Sequence, residues 1–211
     1  MPEVPEELPR LLWISPGIGL GDDLLRRLRA AVAGGLRAFQ LREKSSFARS
    51  LALFAPKLRA ILPRGDGLVL INDRVDACLA TDLDGVQIGH GSIPVASARA
   101  LVGTERWVGA SVHDDRELAD AEEGGADFVI VSPVFPVRKR GMPPAPPLGL
   151  VGLETLTRRT RLPVFALGGI RPARVREVVD QGVHGIAVSS ALAEAEDPKS
   201  MATELVEALR R

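Results

Sequence analysis

The sequence predicts an α/β chain folded as a closed (β/α)8 TIM barrel, on three observations. Eight short apolar runs recur along 211 residues, at 11–15, 36–41, 68–71, 84–88, 106–110, 126–131, 163–167 and 184–188. They are apolar throughout rather than alternating, which suits a parallel sheet covered on both faces. Segments with helical spacing separate them, so strand and helix alternate as a barrel requires. A doubly wound open sheet ranks behind, because Gly17-Ile18-Gly19-Leu20-Gly21 lacks the spacing of a dinucleotide fingerprint.

Each element has a local reason. After the first run, Asp22 to Ala33 sets Leu24, Leu25, Leu28 and Val32 on one helical face, with Asp22 as the expected N-cap and Gly34 as the stop. After the second, Phe47 to Ile61 repeats the pattern through Leu51, Phe54, Leu58 and Ile61. The third is followed by a helical Val75 to Ala80, which holds the single cysteine, Cys78, expected to be buried packing. Pro94 and Pro172 fit first helical turns, Asp114 fits an N-cap, and Gly124 and Gly182 sit where helices stop. Trp13, Phe39, Trp107 and Phe128 lie inside strands and read as core, and His184, before the eighth strand, reads as structural. The exception to the rhythm is 132–149, with six prolines and the basic run Arg138-Lys139-Arg140. It cannot be helix, and is either a lid or a surface excursion.

Composition bounds the function. At 211 residues one barrel domain, 1–211, is expected, since such barrels run about 200 to 250 residues. Hydrophobic residues make up 45%, which permits a large core, and 27 basic residues balance 27 acidic ones. No overall field therefore favours nucleic acid or an anionic membrane, and any anion must be held locally. The start, Met1-Pro2-Glu3-Val4, lacks a basic-then-apolar layout, and no apolar run approaches the ~20 residues of a membrane span. A cytoplasmic location is expected.

Strand ends of a barrel converge on one face, so what terminates each run defines the candidate site. The second ends in Gln40-Leu41-Arg42-Glu43-Lys44, the third in Asn72-Asp73-Arg74, the fourth in Gln87-Ile88-Gly89-His90-Gly91-Ser92 and the fifth in Ser111-Val112-His113. The seventh and eighth end in Gly168-Gly169-Ile170 and Val188-Ser189-Ser190, turns suited to cradling a phosphate through backbone amides. Arg42, Lys44, Arg138, Lys139 and Arg140 supply charge for a second anion, or form a solvated patch. Asp73 either ligates a hard cation such as Mg2+ or pairs with Arg74 or Arg42. His113 is placed to move protons near neutral pH, His90 is on the same side but unpaired, and no Cys or His spacing supports zinc.

These strand ends, in this order, resemble the thiamine-phosphate synthase superfamily, which includes TenI-like thiazole tautomerases. The resemblance runs from Leu11 to Ala191, and its carriers include Asp84-Gly85-Val86-Gln87-Ile88-Gly89 and Pro133-Val134-Phe135-Pro136 beside the strand ends above. It implies that Gln40 faces an aminopyrimidine, that Arg42, Lys44 and Asn72 contact its pyrophosphate, and that Gly168, Gly169, Ser189 and Ser190 hold a thiazole phosphate. It also makes Asp73 one of two metal-binding aspartates. The second, in a Gly-Gln-x-Asp pattern, is replaced here by Gly89-His90-Gly91-Ser92, and the sixth loop lacks the two threonines of the synthases.

A hydroxyl is a poorer ligand than a carboxylate for a hard dication. The expected function is therefore a thiazole tautomerase, an isomerase acting on a small phosphorylated carboxythiazole without a cofactor. In it His113 is the acid/base residue, with Arg42, Lys139 or Arg140 near the carboxylate. The alternatives are a Mg2+-dependent thiamine-phosphate synthase and a noncatalytic protein that binds thiazole or thiamine phosphate. A homodimer, as in relatives, is open.

Overall fold

The structure is a computed structural model that describes residues 8–17, 19–137 and 146–210. Eight parallel strands close in sequence order: β1 (Leu11–Ile14), β2 (Ala38–Leu41), β3 (Leu68–Asn72), β4 (Gly85–Ile88), β5 (Trp107–Val112), β6 (Phe128–Val131), β7 (Val164–Leu167) and β8 (Gly185–Val188). β8 returns to β1 in the register Trp13↔Val188, so no edge remains. The expected (β/α)8 barrel is what the chain forms.

Between the strands run α1 (Asp22–Ala33), α2 (Ala48–Arg59), α3 (Val75–Leu79), α4 (Val95–Val102), α5 (Asp115–Glu123), α6 (Gly149–Arg159) and α7 (Val175–Val179), with α8 (Ser190–Ala193) and α9 (Pro198–Arg210) completing the ring. Among the described residues no helix is long and apolar enough to cross a membrane.

Alternation along each strand divides the core in two. Leu12, Ile14, Ala38, Leu68, Leu70, Phe128, Ile130, Phe165 and Ala187 fill the barrel interior, whereas Trp13, Phe39, Leu41, Val69 and Ile71 face the helices. Both sides of every strand are buried, which is why the runs are apolar throughout. The interior series also fixes the rim: Gln40 follows Ala38 and Asn72 follows Leu70, so both project inward at the C-terminal mouth.

Local signals mostly act as their chemistry requires. Asp114 caps α5, its Oδ1 accepting the Glu117 amide at 2.8 Å, and Gly34 and Gly124 close α1 and α5. Asp22 is not the cap of α1. Gly21 takes that place, and Asp22 and Asp23 occupy the first turn, where carboxylates favour the helix dipole. Cys78 is buried in α3, and burial pushes its thiol up to about 11, so it stays protonated.

The opposite end of the barrel is held by charge. Asp84, fully buried, accepts the Val69 amide at 2.7 Å and pairs with Arg59 at 2.5 Å and Arg64 at 3.2 Å. A Cβ on the neighbouring Gly85 would lie 2.0 Å from the Trp107 carbonyl oxygen. Both belong to the Asp84-Gly85-Val86-Gln87 motif, and both serve the fold. His184 is likewise structural, with Nε2 2.8 Å from the Leu8 carbonyl and its ring edge-on to Phe165.

Candidate active site

The C-terminal ends of β2, β3 and β4 are joined by a line of polar side chains. Gln40 Nε2 donates to Asn72 Oδ1 at 3.1 Å, and Asn72 Nδ2 donates to Asp73 Oδ2 at 2.6 Å. Asp73 Oδ1 accepts the Gly89 amide at 2.8 Å. Asp73 has φ 59, a left-handed conformation that aspartate tolerates better than most residues. Neither pairing with Arg74 nor with Arg42 forms: Arg74 is taken by Asp76, whose carboxyl it holds below the usual carboxylate range. Gln40 is buried beneath this rim, and its Oε1 has no donor among the described residues.

Arg42 and Lys44 continue the β2 end. Among the described residues neither side chain makes a hydrogen bond or ion pair. Arg138, Lys139 and Arg140 lie outside the described residues. The flanks of that loop are pinned: Val134 N donates to Leu167 O at 2.9 Å, and Leu148 N to Pro133 O at 2.9 Å.

His113 and His90 meet over one carboxylate. Glu117 Oε2 lies 2.7 Å from His113 Nδ1 and accepts the His113 amide at 2.8 Å, while Oε1 lies 3.2 Å from His90 Nδ1. His90 is thus partnered, contrary to expectation, because the first turn of α5 brings Glu117 beneath both rings. Burial raises the Glu117 carboxyl, but the bonds from His113 and His90 outweigh it and leave the pKa below the ordinary 4.5.

Across the mouth, β7 and β8 end in the two turns. Gly168 and Gly169 have φ 113 and 67, and a Cβ at Gly169 would lie 2.9 Å from Phe135 Cβ. Glycine is needed there to pass under the β6 loop. The amides of Gly169 and Ser190 donate to no acceptor among the described residues, and Ser189 precedes α8 as its N-cap.

The barrel thus gathers Gln40, Arg42, Lys44, Asn72, Asp73 and His113 on the same face as Gly168, Gly169, Ser189 and Ser190. Glu43 and Glu117 were not legible as site residues. Glu117 had one signal, its position four residues after His113 at a helix start, where i and i+4 meet. Glu43 had none beyond its place between Arg42 and Lys44.

Asp73 fits a magnesium ligand. Each of its oxygens accepts one hydrogen bond and keeps lone-pair capacity for a cation. Among the described residues no group of three or more His, Cys, Asp or Glu could hold a metal, so an all-protein cage is not built here. Mg2+ does not require one, since it takes one or two carboxylates with water and substrate phosphate oxygens.

Residues 11–192 match the family described as Thiamine monophosphate synthase. The thiamine-phosphate synthase of Chloroflexus aurantiacus is 36% identical over 189 residues, 90% of this chain and 87% of that protein. That of Syntrophomonas wolfei is 38% identical over 186 residues, 88% of each. Among solved structures, thiamine phosphate pyrophosphorylase from Pyrococcus furiosus superposes with a TM-score of 0.85 at 34% identity, covering 95% of both chains.

The expectation of a thiazole tautomerase does not stand, because the Chloroflexus aurantiacus and Syntrophomonas wolfei relatives carry the synthase name. The noncatalytic alternative falls as well, the family being one of enzymes. Ser92 argues against a synthase only if two carboxylates are obligatory for Mg2+, and one suffices when the substrate brings phosphate oxygens. The loop at 138–140, the other ground for a tautomerase, lies outside the described residues. A match that runs from the first residue of β1 into α8 and spans every strand end described above makes the chain a member of the thiamine-phosphate synthase family.

Proposed function

We propose that this chain is a thiamine-phosphate synthase, a transferase that joins an aminopyrimidine methyl pyrophosphate to a hydroxyethylthiazole phosphate. The observation that carries the reading is 36–38% identity to proteins of that name over about nine-tenths of the chain. The C–O bond to pyrophosphate breaks with its electron pair leaving on pyrophosphate. The thiazole ring nitrogen then gives its lone pair to the methylene carbon, forming the C–N bond of thiamine phosphate.

Such a reaction needs the leaving anion held and the two rings aligned. Arg42, Lys44 and Asn72 bind the pyrophosphate, and the lack of any partner for either cation among the described residues supports this. Gln40 closes the floor of the pyrimidine end and orients Asn72 through its 3.1 Å bond. Gly168, Gly169, Ser189 and Ser190 hold the thiazole phosphate across the mouth from the pyrophosphate side. Asp73 would hold Mg2+ together with substrate oxygens, and the ion supplies charge neutralisation to the leaving group.

No ring proton moves in this coupling, so His113 is given no acid/base step. Incubating the protein with both substrates tests the reading. Thiamine phosphate and pyrophosphate should form in equal amounts and cease to form with a chelator. Turnover of a carboxythiazole phosphate to its isomer, with no coupling, would overturn it.

A further inference from the structure

Glu43 is a buried carboxylate, 7% exposed, to which the coupling chemistry assigns no task. Among the described residues it makes no ion pair. It is satisfied by two donors from the turn that follows β1: Ser15 Oγ donates to Oε1 at 3.2 Å and the Gly19 amide donates to Oε2 at 2.8 Å. A buried charge is costly unless hydrogen-bonded, so these two bonds draw the glycine-rich turn down onto the end of β2.

That turn touches Arg42 in turn. Ser15 Oγ also accepts the Arg42 amide at 2.7 Å, and the Ser15 amide donates to the Gln40 carbonyl at 2.9 Å. A Cβ placed on Gly17 would lie 3.5 Å from the Arg42 carbonyl oxygen and 3.8 Å from its Nη1. Gly17 and Gly19, with φ 80 and 110, shape the turn, and Gly17 is the one that passes close to Arg42. One serine hydroxyl therefore bridges the Glu43 carboxylate and the Arg42 backbone, and Gly17 of the same turn lies beside one guanidinium nitrogen.

We propose that Glu43 is a positioning residue for anion recognition: through Ser15 and Gly19 it holds the β1–α1 turn that sets the Arg42 guanidinium at the mouth of the barrel. The proposal rests on the synthase reading, in which Arg42 binds pyrophosphate. Arg42 has three or more rotatable bonds to order, so a preformed wall lowers the cost of aiming its planar fork at an oxyanion.

The test measures binding of inorganic pyrophosphate, with Mg2+ present, by calorimetry on Glu43→Gln, Ser15→Ala, Arg42→Ala and the Glu43→Gln/Arg42→Ala double variant. Ser15→Ala keeps the carboxylate and removes only the bridge, which guards against a Glu43 variant that folds poorly. Arg42→Ala should weaken binding about tenfold or more, and Glu43→Gln and Ser15→Ala should each weaken it several-fold. The double variant should bind no more weakly than Arg42→Ala, because a residue acting through another adds nothing once that one is gone. In turnover, Glu43→Gln should raise KM for the pyrimidine pyrophosphate and leave KM for the thiazole phosphate unchanged.

Full pyrophosphate affinity in both Glu43→Gln and Ser15→Ala, or additive losses in the double variant, would overturn the proposal alone. Unchanged binding in Arg42→Ala would overturn the anion role of Arg42, and this proposal with it.

Discussion

Asp73 Oδ1 accepts the Gly89 amide at 2.8 Å, which ties the left-handed residue after β3 to the turn after β4. A side chain at Gly89 would stand 3.3 Å from that oxygen, so the glycine lets the backbone reach the carboxylate. Asparagine tolerates the same conformation as aspartate and its Oδ1 can still accept the Gly89 amide, so Asp73→Asn removes the charge and gives up only the bond accepted from Asn72. Coupling activity should fall about 100-fold or more, with a melting temperature close to wild type. Undiminished Mg2+-dependent turnover would remove Asp73 from the metal site.

Glu117 gives a pH signature. Its folded pKa is depressed below 4.5 by the bonds from His113 and His90, which exceed the opposing effect of burial. A depressed carboxylate contributes stability above its unfolded pKa and loses it as pH falls through the folded value. Urea unfolding should show wild type about 1 kcal/mol more stable than Glu117→Gln above pH 5, with the gap closing below 4.5. A gap that holds constant down to pH 3 would contradict the pairing.

Gly169→Ala tests whether the β7 turn is a phosphate cradle of its own. The φ of 67 at Gly169 and the 2.9 Å approach of a Cβ to Phe135 mean that Gly169→Ala must shift the β7 turn. The strain is about 1–2 kcal/mol. KM for the thiazole phosphate should rise about tenfold, the loss of one charge-assisted contact, while pyrophosphate affinity stays as in wild type. Equal weakening of both would show that the turn is not a separate phosphate cradle.

Asp84 sits at the other end of the barrel and should affect stability alone. Asp84→Asn leaves Arg59 and Arg64 facing a neutral group in a buried site. Breaking one side of a buried pair costs about 3 kcal/mol, or about 10 °C in Tm for a chain of this size. The kinetic constants of the folded variant should match wild type at a temperature where both are native.

The eight strands and the bounds of α1 were legible because their causes are local: unbroken apolar runs, 3.6-residue spacing and turn glycines. The Asp114 cap was legible for the same reason, a side chain bonding an amide three residues on. The polar character of the strand ends could be read off as well, since every parallel strand of a barrel delivers its last residues to one face. Asp22 misled because Gly21, which caps through its backbone without a side-chain bond, leaves no polar signature.

Partnership across the mouth was decided only by barrel closure. Gln40 meets Asn72, Asp73 meets Gly89 and Glu43 meets Ser15, pairs separated by 32, 16 and 28 residues. No local periodicity encodes such contacts, because they follow from the register of neighbouring strands and the path of the turns between them. The sequence by itself determined which polar groups end the described strands, and its resemblance to the family marked Ser92 as standing where a second carboxylate is expected. Whether that loss forbids a metal depends on how Asp73 is held and on which oxygens a substrate brings. That is a property of groups assembled in space, and it took the closed barrel to set Asp73 on a fixed amide with lone pairs to spare.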